Sequence, residues 1–345
     1  MNKKLFYTLV IAGIIIAGIL SVGLGAVSIP PAEVAGILIN KIIGSKSATD
    51  PQHEAIITIV RLPRLLLGLL AGAALGISGA SIQGIFRNPL AEPGLIGVSA
   101  GASLAAVAVI GLEGILFAGL SNLLGYYLLA FGAFAGAGVT ALIIYNLSKH
   151  EGRPNITTML LAGIAINALA GALTGLITYL ATEQQLRNIT FWLLGSLGGA
   201  TWQTIITLVP FVLIPAILLP FSGKALNAFS LGEAQAGYLG IDVDKVKKRV
   251  ILLSTMAVGA AVSLTGIISF VGLLVPHIVR LVVGVDNTHV LPASALSGAL
   301  MLTLADLIAR TIIAPIELPI GVITALIGAP VFLYILIRDK RKLII

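Results

Sequence analysis

The chain contains no cysteine, which excludes thiolate metal sites, iron–sulfur clusters and disulfides and leaves its redox compartment undetermined. Charge is nearly as scarce. Only 10% of its 345 residues are charged, against roughly 25% in soluble globular domains. Catalytic signatures are missing as well: there is no Walker lysine motif, no HExxH and no serine elbow. No hydrolysis is therefore expected of this chain. Its apolar stretches also lack the buried carboxylates of a self-powered proton or sodium pump, Asp306 at a span end apart. Any active transport must draw its energy from elsewhere.

What fills the chain is apolar sequence, with 58% hydrophobic residues and a mean hydropathy of +1.07. Charge-free runs at 65–86, 93–112, 287–305 and 318–337 each approach the ~20 residues that a membrane-spanning helix needs. The pattern predicts an all-α polytopic membrane protein, a single domain over 1–345, with ten spans near 5–27, 65–86, 93–111, 127–147, 156–180, 202–221, 250–267, 269–284, 290–309 and 318–338. "MNKK" is slight and 5–27 long for a cleaved signal peptide, so the first helix is read as retained. The 39 glycines suit close helix packing in lipid.

With both termini inside, fifteen Lys and Arg fall on the cytoplasmic side, among them Arg87, Lys149, Arg153, Lys247, Lys248 and Arg280. Six fall outside: Lys41, Lys46, Arg61, Arg64, Arg187 and Arg310. This is the positive-inside bias. The net charge of +7 thus reports topology, and no nucleic-acid partner is expected. An internal repeat is suggested by "GAALGISG" (72–79) and "GAAVSLTG" (259–266), each followed ten residues later by a proline, Pro89 and Pro276. The two segments run in opposite directions, as in the inverted repeats of transporters; compositional likeness of Gly/Ala-rich helices is the alternative.

Polar punctuation marks the two faces. "RNPLAEPG" (87–94) makes a rigid inner turn, since neither Pro89 nor Pro93 continues a helix. "RLPR" (61–64) puts two guanidinium groups just outside the second span, suited to bidentate pairing with an acidic partner. Asp306 and Arg310 stand at i, i+4 spacing and either pair together or, for Arg310, face a partner. His277 lacks companions at ligand spacing and reads as a packed polar residue. "NIT" at Asn155 and Asn188 fits a glycosylation triplet without carrying weight. Most unusual is "LGEAQAGYLGIDVDKVKKR" (231–249), a polar helical hairpin on the inner face, with Gly240 and Gly237 as candidates for the turn.

The stretches "RLPRLLLGLLAGAALGISGASIQGIFRNPLAEPGLIGVSAGAS" (61–103), "LGEAQAGYLGI" (231–241), "GIISFVGLLVPHIVRLVVGVDNTHVLP" (266–292) and "ADLIARTIIAPIELPIGVITALIGAPVFLYIL" (305–336) resemble, in order, the FecCD-type permeases of ABC importers for iron-siderophore, haem and cobalamin. The resemblance implies a homodimer in the cell membrane around a central path. Two ATP-binding cassette ATPases, carrying ATP and Mg, would dock below, and one extracytoplasmic substrate-binding protein above. No cofactor or metal is expected on this chain.

By the same resemblance, Leu231, Gly232, Glu233, Ala234, Gly237 and Gly240 belong to the ATPase-coupling hairpin. Arg61, Arg64 and Arg310 meet the binding protein, and Asn88, Leu90, Thr157 and Thr158 constrict the cytoplasmic end of the path. Regions 28–60 and 181–201 match loosely and are read as external, with a short helix within 189–199. Iron-siderophore leads the expected cargoes on family breadth, ahead of haem and cobalamin. The rival readings are a self-contained channel or secondary transporter, which intramembrane carboxylates would favour, and a structural scaffold, which leaves the inner hairpin unexplained.

Overall fold

The computed structural model describes residues 2–43, 50–112, 119, 124–125, 127–150 and 153–342. Lys46, one of the expected external cations, lies outside the described residues. The helices are α1 (Lys3–Gly23), α2 (Pro31–Ile43), α3 (Pro51–Phe86), α4 (Val98–Leu112), α5 (Tyr127–Leu147), α6 (Ile156–Leu180), α7 (Glu183–Leu194), α8 (Trp202–Leu218), α9 (Gly223–Phe229), α10 (Glu233–Tyr238), α11 (Val243–Thr265), α12 (Val271–Val283), α13 (Asn287–Thr311) and α14 (Ile320–Lys342). Strand pairing among the described residues is confined to Lys149–His150 against Arg153–Pro154, between α5 and α6.

Among the described residues, seven helical stretches are long and apolar enough to cross a membrane, and three shorter apolar helices complete a set that coincides with the ten expected spans. The protein is an all-α polytopic membrane protein. Its axis is α3, buried over most of its length and packed against α8, α11, α12 and α13. Small residues make that packing possible. A Cβ on Gly72 would fall 2.3 Å from the Gly298 carbonyl oxygen, and one on Gly76 would fall 2.1 Å from that of Ser294. Backbones in such contact gain dispersion and polar contacts that lipid cannot replace.

Two expectations are corrected here. The helix of the second span begins well before 65: α3 starts at Pro51, capped by the Asp50 side chain, and continues through a wide π turn at Ile56–Arg61. That turn directly precedes Pro63, whose ring would clash with a carbonyl in a regular helix. Arg61 and Arg64 are therefore inside a helix, not beyond its end. Helix α7, expected to be external, ends at Gly195 (φ +73), so 189–199 is half helix and half turn.

The two glycine-rich segments with matching prolines differ locally. Residues 72–79 lie inside α3 with Pro89 in a turn, whereas Gly266 ends α11 and Pro276 sits within α12. Arg280 also departs from a plain cytoplasmic cation. It donates to Gln83 Oε1 and to the Ala80 carbonyl at 3.3 Å, and so pins α12 to α3.

Candidate functional site

The hairpin at 231–249 is built by backbone rules. After α9 the chain turns through Gly232 (φ +119) into α10, which stops at a glycine-closed cap. There Ile241 N–H donates to the Ala236 carbonyl at 3.1 Å and Gly240 N–H to that of Gly237 at 2.9 Å, with Gly240 at φ +81. This paired bonding with a left-handed glycine is the Schellman arrangement, and Ala236 and Ile241 supply its apolar contact to the core. Asp242 then caps α11 by accepting from Lys245 N–H at 3.0 Å. Gly240 is at the turn as expected. Gly237 is not, being helical, and Gly232 is the second special backbone.

One side chain holds this hairpin to the spans. Lys247 is only 3% exposed, with Nζ 2.6 Å from Glu233 Oε2 and donating to the Pro154 carbonyl at 3.2 Å. It joins α10, α11 and the β-hairpin before α6. Lys247 stands in the chain among Lys245, Lys248 and Arg249, all three exposed. Burial separates it from them. On the other flank, Asn227 and Asp286 lock α9 to the start of α13 reciprocally: Asn227 Nδ2 donates to Asp286 Oδ1 at 2.7 Å and Asn287 N–H to Asn227 Oδ1 at 2.8 Å. The Asn227 bond, with help from Thr288, holds the Asp286 carboxyl down at about 2.

What faces away from the bundle is apolar. Leu231, Tyr238 and Leu239 are exposed, Tyr238 by 90%, beside exposed Ala234 and Gly237. Next to them is a polar cleft of about 900 Å³ lined by Arg87, Asn155, Thr157, Glu233, Gly237 and Asp244. An exposed apolar knob with a charged cleft is the anatomy of a protein docking surface.

The four expected gate residues lie at the same end of the bundle as the hairpin, in two places. Asn88 Oδ1 accepts from Leu90 N–H at 2.9 Å, closing the turn after Arg87 (φ 49) and leaving Leu90 exposed. Thr157 lines the cleft, while Thr158 N–H donates at 3.0 Å to Asn155, the cap of α6. The α6 helix itself is largely uncovered, with Leu161, Ile164, Leu169, Leu173 and Leu176 exposed.

The three arginines expected to meet the binding protein are packed within the chain. Arg61, Arg64 and Arg310 are 5%, 8% and 5% exposed and engaged within the chain. Arg61 donates to the carbonyls of Val22 (2.6 Å), Gly23 (2.8 Å) and Val27, gathering the C-terminal end of α1. Arg64 reaches Asp306 from Nη2 at 2.9 Å and from Nε at 3.0 Å, and Glu317 from Nη1 at 2.8 Å. Arg310 donates to the Ser21 carbonyl, and to Ser21 Oγ at 2.7 Å, and stands 3.5 Å from Asp306. The main partner of Asp306 is thus Arg64, not Arg310. Glu317, with a side chain 47% exposed, is the charge of this network that solvent reaches. Among the described residues no group of three His, Asp or Glu side chains is placed to hold a metal ion.

The sequence pattern of the FecCD transport family matches residues 13–338. The hemin transport system permease protein HmuU of Yersinia pestis is 44% identical over 283 residues, covering 82% of this chain and 83% of that protein. The cobalamin import system permease protein BtuC of Halobacterium salinarum is 41% identical over 288 residues, covering 84% and 74%. A solved structure of a metal-chelate type ABC transporter, in an inward-facing conformation, superposes with a TM-score of 0.83 at 31% identity over 97% of this chain and 99% of that one.

Proposed function

Because the chain belongs to the FecCD transport family, we propose that it is the membrane-spanning permease subunit of a binding-protein-dependent ABC importer, moving a metal chelate into the cell. The observation that carries this reading is the inner hairpin: an apolar knob of Leu231, Tyr238 and Leu239 on a helix clamped to α11 through Lys247 and, by way of α9, to α13 through Asn227 and Asp286. Such a knob fits the cleft of an ATPase. Closure of two ATPases around bound ATP and Mg would displace α10, and the two clamps would pass that displacement into spans that pack on α3. The permease then acts as a lever and holds no catalytic group of its own.

The uncovered face of α6 is the natural seam for a second copy, with the path between the copies and Thr157, Thr158, Asn88 and Leu90 at its inner mouth. One extracytoplasmic binding protein would sit on the outer rim. There Arg61, Arg64 and Arg310 set the shape and charge of the surface through Asp306 and Glu317. Relatives are named for hemin and cobalamin, so haem is the first cargo to test, cobalamin the second and iron-siderophore the third. Both termini would be cytoplasmic, in the cell membrane. Tagged permease purified from its native membrane tests this assembly. It should bring down an ATPase in equal amount, with two permeases per complex. A monomer that never carries an ATPase would overturn the reading.

A further inference from the structure

On an apolar flank of the bundle, α5 and α8 both pack on α11 and leave a groove of about 310 Å³ between them. Its walls are apolar: Phe134, Ala141 and Leu142 from α5, Phe211 from α8, Ile251 and Leu252 from α11. At its deep end an edge-to-face pair closes it, with the Phe134 and Phe211 ring centroids 5.1 Å apart. At its inner end stands the exposed Lys248, which makes no ion pair among the described residues. Lys149 stands over the Tyr145 ring that lines the same mouth, Nζ 4.9 Å from its centre, and donates to Asn146 Oδ1 at 2.9 Å. Asp244, one turn before Lys248, pairs with Arg153 at 3.6 Å. Asp244 is thus matched by Arg153, and Lys248 with Lys149 leaves the mouth net positive.

The length of the groove identifies its level in the membrane. Phe134 and Tyr145 are eleven residues apart on α5, about 16 Å at 1.5 Å per residue, which is half of a ~30 Å hydrocarbon core. One leaflet fits, and it is the cytoplasmic one. Beyond the aromatic pair only about 80 Å³ of groove continues outward, and its lining carries no Lys or Arg. Gly138 keeps the inner groove open, since a Cβ placed there would meet nothing within 4 Å.

We propose that this groove binds one anionic phospholipid of the inner leaflet, an acyl chain lying against Gly138 and Leu142 and the phosphate meeting Lys248 and Lys149. A membrane-embedded apolar slot that ends in unpaired lysine at headgroup level has this chemistry. A neutral lipid satisfies the slot but not the lysines. A second copy of the chain, itself rich in inner-face cations, would meet like charge at the mouth.

The full-length chain reconstituted in nanodiscs of equal phosphatidylglycerol and phosphatidylcholine tests this by native mass spectrometry of retained lipid. Phosphatidylglycerol should be retained over phosphatidylcholine. Lys248→Gln should cut that preference about fivefold, the weight of one cation near an anionic surface. Gly138→Phe should empty the groove of both lipids, and because that variant can misfold, it is scored only beside a wild-type circular dichroism spectrum. Lys248→Gln alone keeps the test decisive. Equal retention of the two lipids, a preference that Lys248→Gln leaves unchanged, or a Leu252→Cys cross-link to a second copy would each overturn the proposal.

Discussion

Lys247 Nζ lies 2.6 Å from Glu233 Oε2, and the lysine is buried although it stands in a run of basic residues. Breaking a buried pair costs about 3–5 kcal/mol because the remaining charge is stranded. Glu233 is partly exposed, so the cost of Glu233→Ala should come at the low end, about 3 kcal/mol, and that of Lys247→Ala lower still, because the carboxylate left behind can hydrate. Both variants should reach the membrane, melt earlier and retain less ATPase. An unchanged melting temperature together with full ATPase recovery would remove the pair from the coupling surface.

The glycines of the hairpin should separate by backbone angle. Gly240→Val and Gly232→Val place a β-branched side chain at positive φ, with strain of about 1–3 kcal/mol. Each should insert normally and lose uptake. Gly237→Ala, in a regular helix with no atom near its added Cβ, should keep or slightly raise stability, by about 0.5–1 kcal/mol. Normal uptake in Gly240→Val would reduce the hairpin to a passive loop.

Acid should loosen the α9–α13 joint. The Asp286 carboxyl is held at about 2, below the ordinary carboxylate range. Its stabilising contribution is therefore complete at neutral pH and is lost as pH falls below about 4 and through about 2. Asp286→Asn should flatten the acid side of a melting-temperature profile between about pH 4 and 2 while leaving the slope above about pH 5 alone. A profile with the same acid slope in both proteins would place the loss elsewhere.

At the rim, Arg64→Glu would set a third carboxylate against Asp306 and Glu317. The variant should fail to accumulate, whereas Glu317→Gln, at an exposed group, should fold and change only the salt dependence of binding-protein capture. Robust accumulation of Arg64→Glu would mean that the network is not holding α3 to α13.

The spans were legible because roughly twenty charge-free residues leave few alternatives to crossing a membrane, and the closure of α10 was legible because Gly240 follows a short helical run. Other features depended on distant partners. Lys247 looks like any cation beside a span until Pro154, 93 residues earlier, supplies a carbonyl. Arg61 looks like a free cation until the Val22 and Gly23 carbonyls at the end of α1 accept from it. The start of α3 at Pro51 was hidden by Pro63, which ordinarily signals a boundary but here follows a π turn that makes room for its ring. Local pattern carried the elements, and tertiary contact decided which charges remained free.

The most direct measurement of the account is ATP-dependent accumulation of hemin in proteoliposomes holding the permease, its co-purified ATPase and its binding protein, with cobalamin and a ferric siderophore as parallel cargoes. The account predicts that one of these chelates accumulates only when ATP is supplied on the ATPase side, and that Tyr238→Glu with Leu239→Glu in the exposed knob abolishes accumulation without lowering the amount of permease inserted. Accumulation that proceeds without ATP, or that survives the double substitution undiminished, would contradict it.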